Sequence, residues 1–263
     1  MVVGVSEHGR LALVDEAKRL HALSLVREGR LYDLGRVLGE DVPAFPGRYF
    51  RQTLVRNPGE PLGDNRVDWA WEVFTGTTQM GTHIDALSHL RRGERGYGGF
   101  AGAELASRLG AETIPQVVTR GWLVDASPLG PGDVIGVDAL AELDPEPGDA
   151  VLFHTGWGSR WDDAEAYLSG EPGPGYAVAE WLAERGVALT GCDTWSYGPV
   201  PAEDPQRPFE VPQLLNVEHG VFVVENLELS ALAADGVREF CLVLTLPKLR
   251  GATGAWVSPI ALT

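Results

Sequence analysis

The chain has 263 residues, and its 44% hydrophobic and 22% charged content is that of a globular protein rather than a disordered, fibrous or membrane-embedded one. Its 21 Lys+Arg against 37 Asp+Glu give a formal charge of -16, which removes any general attraction for nucleic acid or anionic membrane surfaces. Two cysteines, Cys192 and Cys241, lie in apolar surroundings and read as small buried hydrophobes, so a disulfide framework is excluded.

Met1 to Arg10 lacks a basic segment followed by a long apolar stretch, and nowhere do 18 apolar residues run together. The expectation is a cytoplasmic protein without a membrane partner. From Asp15 to Glu28 the apolar residues fall mostly at helical spacing, with Gly29 at the C-cap position, which predicts a helical arm over residues 1-30. No proline- or serine-rich linker divides the remainder, so residues 31-263 are expected to form one catalytic domain. Arg30 to Leu38 reads as a strand, and Val42 to Gly47 as a proline-stiffened loop. Short apolar or alternating runs predict strands at Val67 to Thr75, Gly121 to Asp125, Ala150 to Thr155, Val187 to Gly191, Val221 to Glu225 and Phe240 to Leu246. Helical patterns intervene at Ala101 to Arg108, Val137 to Ala141 and Tyr176 to Arg185, the last closed by Gly186. The order is that of an α/β chain. No glycine-rich G-x-G-x-x-G turn follows a strand, which argues against a dinucleotide-binding fold.

The densest group of potential ligands runs from Gln79 to His89. If Phe74 to Asp85 continues as one strand, Gln79, His83 and Asp85 project from one face, and Gly81 leaves a gap between them for an ion. An imidazole and a carboxylate two residues apart, with an amide oxygen, make one side of a divalent-metal site, and this oxygen-rich set suits manganese or magnesium at least as well as zinc. His89, four residues beyond Asp85, is the candidate proton shuttle. A bare H-x-D-x-x-x-H more often marks structural histidines with a capping aspartate, so spacing alone is weak evidence.

The stretch Gly81-Thr82-His83-Ile84-Asp85-Ala86-Leu87-Ser88-His89 resembles the H-x-G-T-H-x-D-x-x-x-H signature of the cyclase family of kynurenine formamidase-like, metal-dependent hydrolases, which also includes isatin hydrolase. The resemblance extends in order along the chain. Tyr32-Asp33-Leu34 with Pro43 to Gly47 is similar to the family's opening, and Gly148 to Trp157 to its G-D-x-V-L-x-x-T-G-W segment. Trp181 to Gly186 leading to Asp193-Thr194, Gly220 to Leu227, and Pro247 to Gly254 resemble later segments. It implies a swivelling β/β/α domain with a central mixed, barrel-like sheet, assembled as a homodimer or homotetramer. It implies metal ligation by His83 and Asp85, general acid/base work by His89, and a carboxylate at Glu225 that binds a second metal or acts beside the first. Gln79 stands where the signature has its first histidine, and no histidine occupies Val211 to Gln213, where the family has one that helps hold a second metal. One divalent ion, manganese or zinc, held by Gln79, His83 and Asp85, is therefore expected.

The implied reaction on a small-molecule substrate is cleavage of an amide or cyclic amide C–N bond by metal-activated water, with His89 and Glu225 relaying protons. The alternative is a polyketide-type ring closure by metal- and base-assisted aldol chemistry, toward which Gln79 and Asp85-Ala86-Leu87 lean. His154 reads as a hydrogen-bonded core or pocket-edge histidine and His219 as a turn residue, while His8 and His21 carry no assignment. Of Trp69, Trp71, Phe74, Tyr97, Phe100, Trp195 and Tyr197, some could line a pocket for a ring, and most read as core or interface aromatics. Neither Ser88 nor Cys192 has the setting of a nucleophile.

Overall fold

The computed structural model describes residues 5–263. In chain order its strands are β1 (Leu31–Asp33), β2 (Phe50–Arg56), β3 (Ala70–Gly76), β4 (His83–Asp85), β5 (Val117–Asp125), β6 (Val134–Ile135), β7 (Ala150–His154), β8 (Gly173–Pro174), β9 (Leu189–Cys192), β10 (Phe222–Glu225), β11 (Glu239–Leu244), β12 (Gly254–Trp256) and β13 (Ile260–Leu262). The longer helices are α1 (Glu16–Ser24), α2 (Gly102–Leu109) and α3 (Tyr176–Glu184). One nine-stranded mixed sheet, in the order β1-β13-β11-β5-β7-β9-β10-β4-β12, curls into a half-barrel, as expected of the α/β chain. Its middle, β5-β7-β9-β10, is parallel, and antiparallel strands flank it on both sides.

The parallel strands are apolar on both faces because both are covered. Successive side chains alternate across the sheet: Ala150, Leu152, Phe222 and Val224 enter one core with Ile84, Leu105 and Leu242, while Val151, Phe153 and Val223 enter a second with Val178 and Leu182 of α3. α3 ends where Gly186 takes φ +75°, the left-handed turn that glycine accepts without a Cβ penalty.

Several elements differ from expectation. The strand expected to run from Phe74 through Asp85 is broken: β3 ends at Gly76, and β4 starts only at His83, after Gly81 turns with φ +59°. Consequently Gln79 is not a strand-mate of His83 and Asp85. β3 does not join the main sheet but pairs with β2 in a separate two-stranded hairpin, with Trp69, Trp71, Val73 and Phe74 exposed. The strand expected from Arg30 to Leu38 is the three-residue β1, and the helix expected at Val137 to Ala141 is a 3-10 turn. α1 is shorter than expected and stops at Ser24; the Asp15 carboxylate caps its start by accepting from the Lys18 backbone N–H. Lys18 reaches the buried Asp149, 2.9 Å away, and ties the arm to the body. The first four residues of the arm lie outside the described residues. Among the described residues no helix is long and apolar enough to cross a membrane.

Candidate functional site

β4 and β10 lie antiparallel with Glu225 directly opposite His83. Opposed residues in such a ladder share a face, and so do residues two apart on a strand, so His83, Asp85 and Glu225 converge. One ligand atom from each lies within 4.8 Å of the others, and all three side chains are buried. The Gly81 turn is part of the same device. Its carbonyl accepts from His83 Nδ1 at 2.9 Å and from Asn226 Nδ2 at 2.9 Å, which fixes the tautomer and leaves a lone pair on His83 Nε2. Thr82 joins the two strands by donating to the Asn226 carbonyl at 2.7 Å while accepting from the Arg36 backbone N–H at 2.8 Å.

That lone pair points into carboxylate oxygens: His83 Nε2 is 3.2 Å from Glu225 Oε2 and 3.8 Å from Asp85 Oδ1. Both His83 Nε2 and Asp85 Oδ1 are buried without a hydrogen-bond partner. Acceptors facing one another in a buried site are stabilised by a cation between them. Burial lowers the His83 pKa despite the nearby Asp85, so a proton is disfavoured on the imidazole itself. Burial likewise raises Asp85, and raises Glu225 to about 7, so the ionised pair is unfavourable without a compensating charge. One imidazole nitrogen and two carboxylates form a donor set suited to a divalent ion, and the residues present fit one.

His89 stands at the rim, its Nε2 3.9 Å from Asp85 Oδ2. Gln79 sits behind it rather than in the triad. The Gln79 amide nitrogen lies 3.5 Å from His89 Nδ1 and donates to Thr253 Oγ1 at 3.1 Å, while its oxygen accepts from the Thr78 hydroxyl at 3.0 Å. Gly254 permits this approach, since a Cβ there would meet the Gln79 amide at 2.7 Å. The triad thus brings together His83, Asp85 and Glu225, with Glu225 among the prospective ligands and Gln79 beside the histidine at the rim. Gln213 donates to the Arg91 carbonyl at 2.7 Å and is not part of the pocket.

Asp85, His89 and Glu225 open into a pocket of about 140 Å³ whose walls include Phe45, Arg48, Trp195, Ser196 and Phe209. Of the aromatics singled out in the sequence, only Trp195 lines it; Tyr197 is buried against Thr190, and Trp69, Trp71 and Phe74 belong to the hairpin. Phe45 and Phe209 come from irregular segments, where no hydrophobic period marks a pocket wall; Phe45's place between Pro43 and Pro46 was the available signal. His154 is hydrogen-bonded to Asp125 at 2.9 Å, away from the triad.

A family model described as "Putative cyclase" matches residues 32–199. Kynurenine formamidase of Bordetella pertussis is 25% identical over 231 residues, covering 82% of this chain and 91% of that protein. The crystal structure of a novel cyclase superposes with a TM-score of 0.85 at 26% identity, covering 98% of this chain and 96% of that one. Isatin hydrolase A from Ralstonia solanacearum shares the fold, with a TM-score of 0.68 at 22% identity over 88% of this chain and 91% of that one. Since the family match spans more than half of its length, the chain belongs to the cyclase family and is an enzyme.

Proposed function

We propose that the enzyme is a metal-dependent hydrolase that cleaves an amide or cyclic amide C–N bond of an aromatic or apolar small molecule. The observation that carries this reading is the buried triad of mutually facing acceptors, open on one side to a pocket walled by aromatic rings. His83 Nε2, Asp85 and Glu225 would hold the ion, manganese or zinc. A divalent ion there supplies Lewis acidity toward a carbonyl oxygen and acidifies water. The chain's own residues do the rest. Phe45, Trp195 and Phe209 hold the apolar part of the substrate and exclude bulk water. His89, partly open at the rim, removes the proton of the attacking water and delivers it to the leaving nitrogen. Gln79, its amide nitrogen 3.5 Å from His89 Nδ1, packs beside the ring.

The family's name and the novel cyclase with which the chain superposes support a second reading, ring closure by enolisation and aldol condensation with His89 as base. The exposed apolar hairpin favours a homodimer or homotetramer in which it is the contact surface.

The test is elemental analysis of protein purified without chelator or nickel, beside His83→Ala prepared identically, together with turnover of formanilides and lactams. About one manganese or zinc ion per chain in the native protein, lost with turnover in the variant, is expected. Turnover retained in His83→Ala overturns the mechanism. Oxygen-18 from solvent enters a hydrolysis product and is not required in a ring-closed one, which separates the two reactions.

A further inference from the structure

The pocket above the triad is small and carries a cation, Arg48, that forms no ion pair with the triad carboxylates. Its volume of about 140 Å³ is close to the ~150 Å³ of an interior cavity that takes up one benzene molecule. Three rings in mutual contact form one wall of it, with centroid separations of 5.4 Å for Phe45 and Trp195, 6.5 Å for Phe45 and Phe209, and 6.3 Å for Trp195 and Phe209. Arg48 lies against this ring wall, its guanidinium carbon 5.4 Å from the Phe45 centroid. Nη1 donates to the Gln79 carbonyl at 3.0 Å, and among the described residues Arg48 makes no ion pair. Most of its donor fork is therefore uncommitted, in a pocket it shares with His89.

Charge bookkeeping gives this cation a use. Asp85 and Glu225 together neutralise a divalent ion, which leaves the Arg48 charge unbalanced in the pocket. An unbalanced, half-buried guanidinium beside an aromatic wall matches a planar anion, because its fork pairs with carboxylate geometry in two parallel hydrogen bonds. We propose that the substrate is a single-ring aromatic acid, its ring packed against the wall formed by Phe45, Trp195 and Phe209 and its carboxylate paired with Arg48. The proposal rests on the hydrolase reading only in placing a divalent ion in the triad.

The experiment is calorimetric titration of the manganese-loaded protein with benzoate and with benzamide, which share a ring and nearly a shape but differ in charge, and with acetate, which lacks the ring. Native protein, Arg48→Met and Arg48→Lys are compared, and manganese retention is measured for each. Benzoate is expected to bind native protein at least ~10-fold more tightly than either benzamide or acetate, as a charge-assisted pair and a buried ring each imply. Arg48→Met should abolish the preference for benzoate over benzamide while holding manganese at least as tightly as native protein, because a like charge near the ion has been removed. Arg48→Lys should keep part of it. These opposite effects on anion and metal set a specificity role apart from general damage to the site.

Equal binding of benzoate and benzamide overturns the proposal, as does failure of both to bind. A preference that survives Arg48→Met also overturns it, since the carboxylate is then on the ion. Protein that holds manganese and cleaves formanilides without favouring benzoate loses only the Arg48 assignment. Protein that holds no metal loses the hydrolase reading as well.

Discussion

Glu171 shows how one residue outside the triad shapes the pocket. It is fully buried; Oε2 accepts from the Trp195 backbone N–H at 2.6 Å, Oε1 accepts from the Ser196 hydroxyl, and its backbone pairs with Val200. The carboxyl thus holds two pocket-lining residues in place. Burial, outweighing these two hydrogen bonds and reinforced by the charge of Glu225, pushes its pKa well above the ordinary 4.5. The native state therefore binds the proton more tightly than the unfolded chain, so this group's contribution to stability is complete below about pH 4.5 and is lost as pH rises toward the native pKa. Glu171→Gln keeps an acceptor for Trp195 and a neutral partner for Ser196 but does not titrate. Its melting temperature is expected to gain on native protein steadily as pH rises above about 4.5, since only the native carboxyl loses stability there. A difference independent of pH would show the carboxyl to be ionised in the fold. Glu171→Leu leaves the Trp195 N–H unpaired, a loss of about 1–3 kcal/mol; as a positioning change it should raise KM more than it lowers kcat, and Glu171→Gln should restore KM.

At the scale of elements, the site is the meeting of β4 with β10 across the Gly81 turn. Gly81 at φ +59° is a position where a side chain costs about 1–2 kcal/mol, and an added Cβ would stand 3.2 Å from Leu38 Cδ1. Its carbonyl also fixes His83 Nδ1. Gly81→Ala is therefore expected to lose about 1–2 kcal/mol in urea denaturation and to retain metal less well than native protein. A loss of stability with metal retention unchanged would confine Gly81 to the fold. The same turn marks where the sequence could and could not be read. The parallel strands were legible because burial on both faces makes each a continuous apolar run, as in Ala150 to His154 and Phe222 to Glu225. β1, β12 and β13 are three residues each and owe their existence to their partners rather than to any local pattern. His83 and Asp85 were legible as neighbours two apart on a strand. The pairing of Glu225 with His83 depends on register between strands distant in sequence, and the Gly81 turn moves Gln79 out of the line that a continuous strand would have given it.

At the scale of the whole molecule, β3 carries the apolar alternation of a half-buried strand and yet is exposed along its length. An isolated two-stranded hairpin is marginal in water, and contiguous exposed apolar surface marks a contact. The register places Leu54 and Phe74 on one face and Trp71 and Val73 on the other, so each face presents apolar side chains. At its base Phe50 and Phe74 pack on Trp256 of β12, the strand next to β4, so the hairpin is anchored beside the site. With a formal charge of -16, copies of the chain repel one another unless apolar surface outweighs that repulsion, and the hairpin is where such surface is concentrated. Sedimentation velocity should find native protein dimeric or larger, and the double variant Leu54→Glu/Val73→Glu, one charge on each face, should sediment as a monomer. The melting temperature gives an independent check. In a monomer both positions are solvent-exposed, and substitutions there should fall within about 0.5 kcal/mol of native stability. In an assembly they remove buried apolar contacts and should lower the melting temperature in a way that depends on protein concentration. Native protein that sediments as a monomer, or a variant with unchanged sedimentation, would leave the hairpin without a role in self-association.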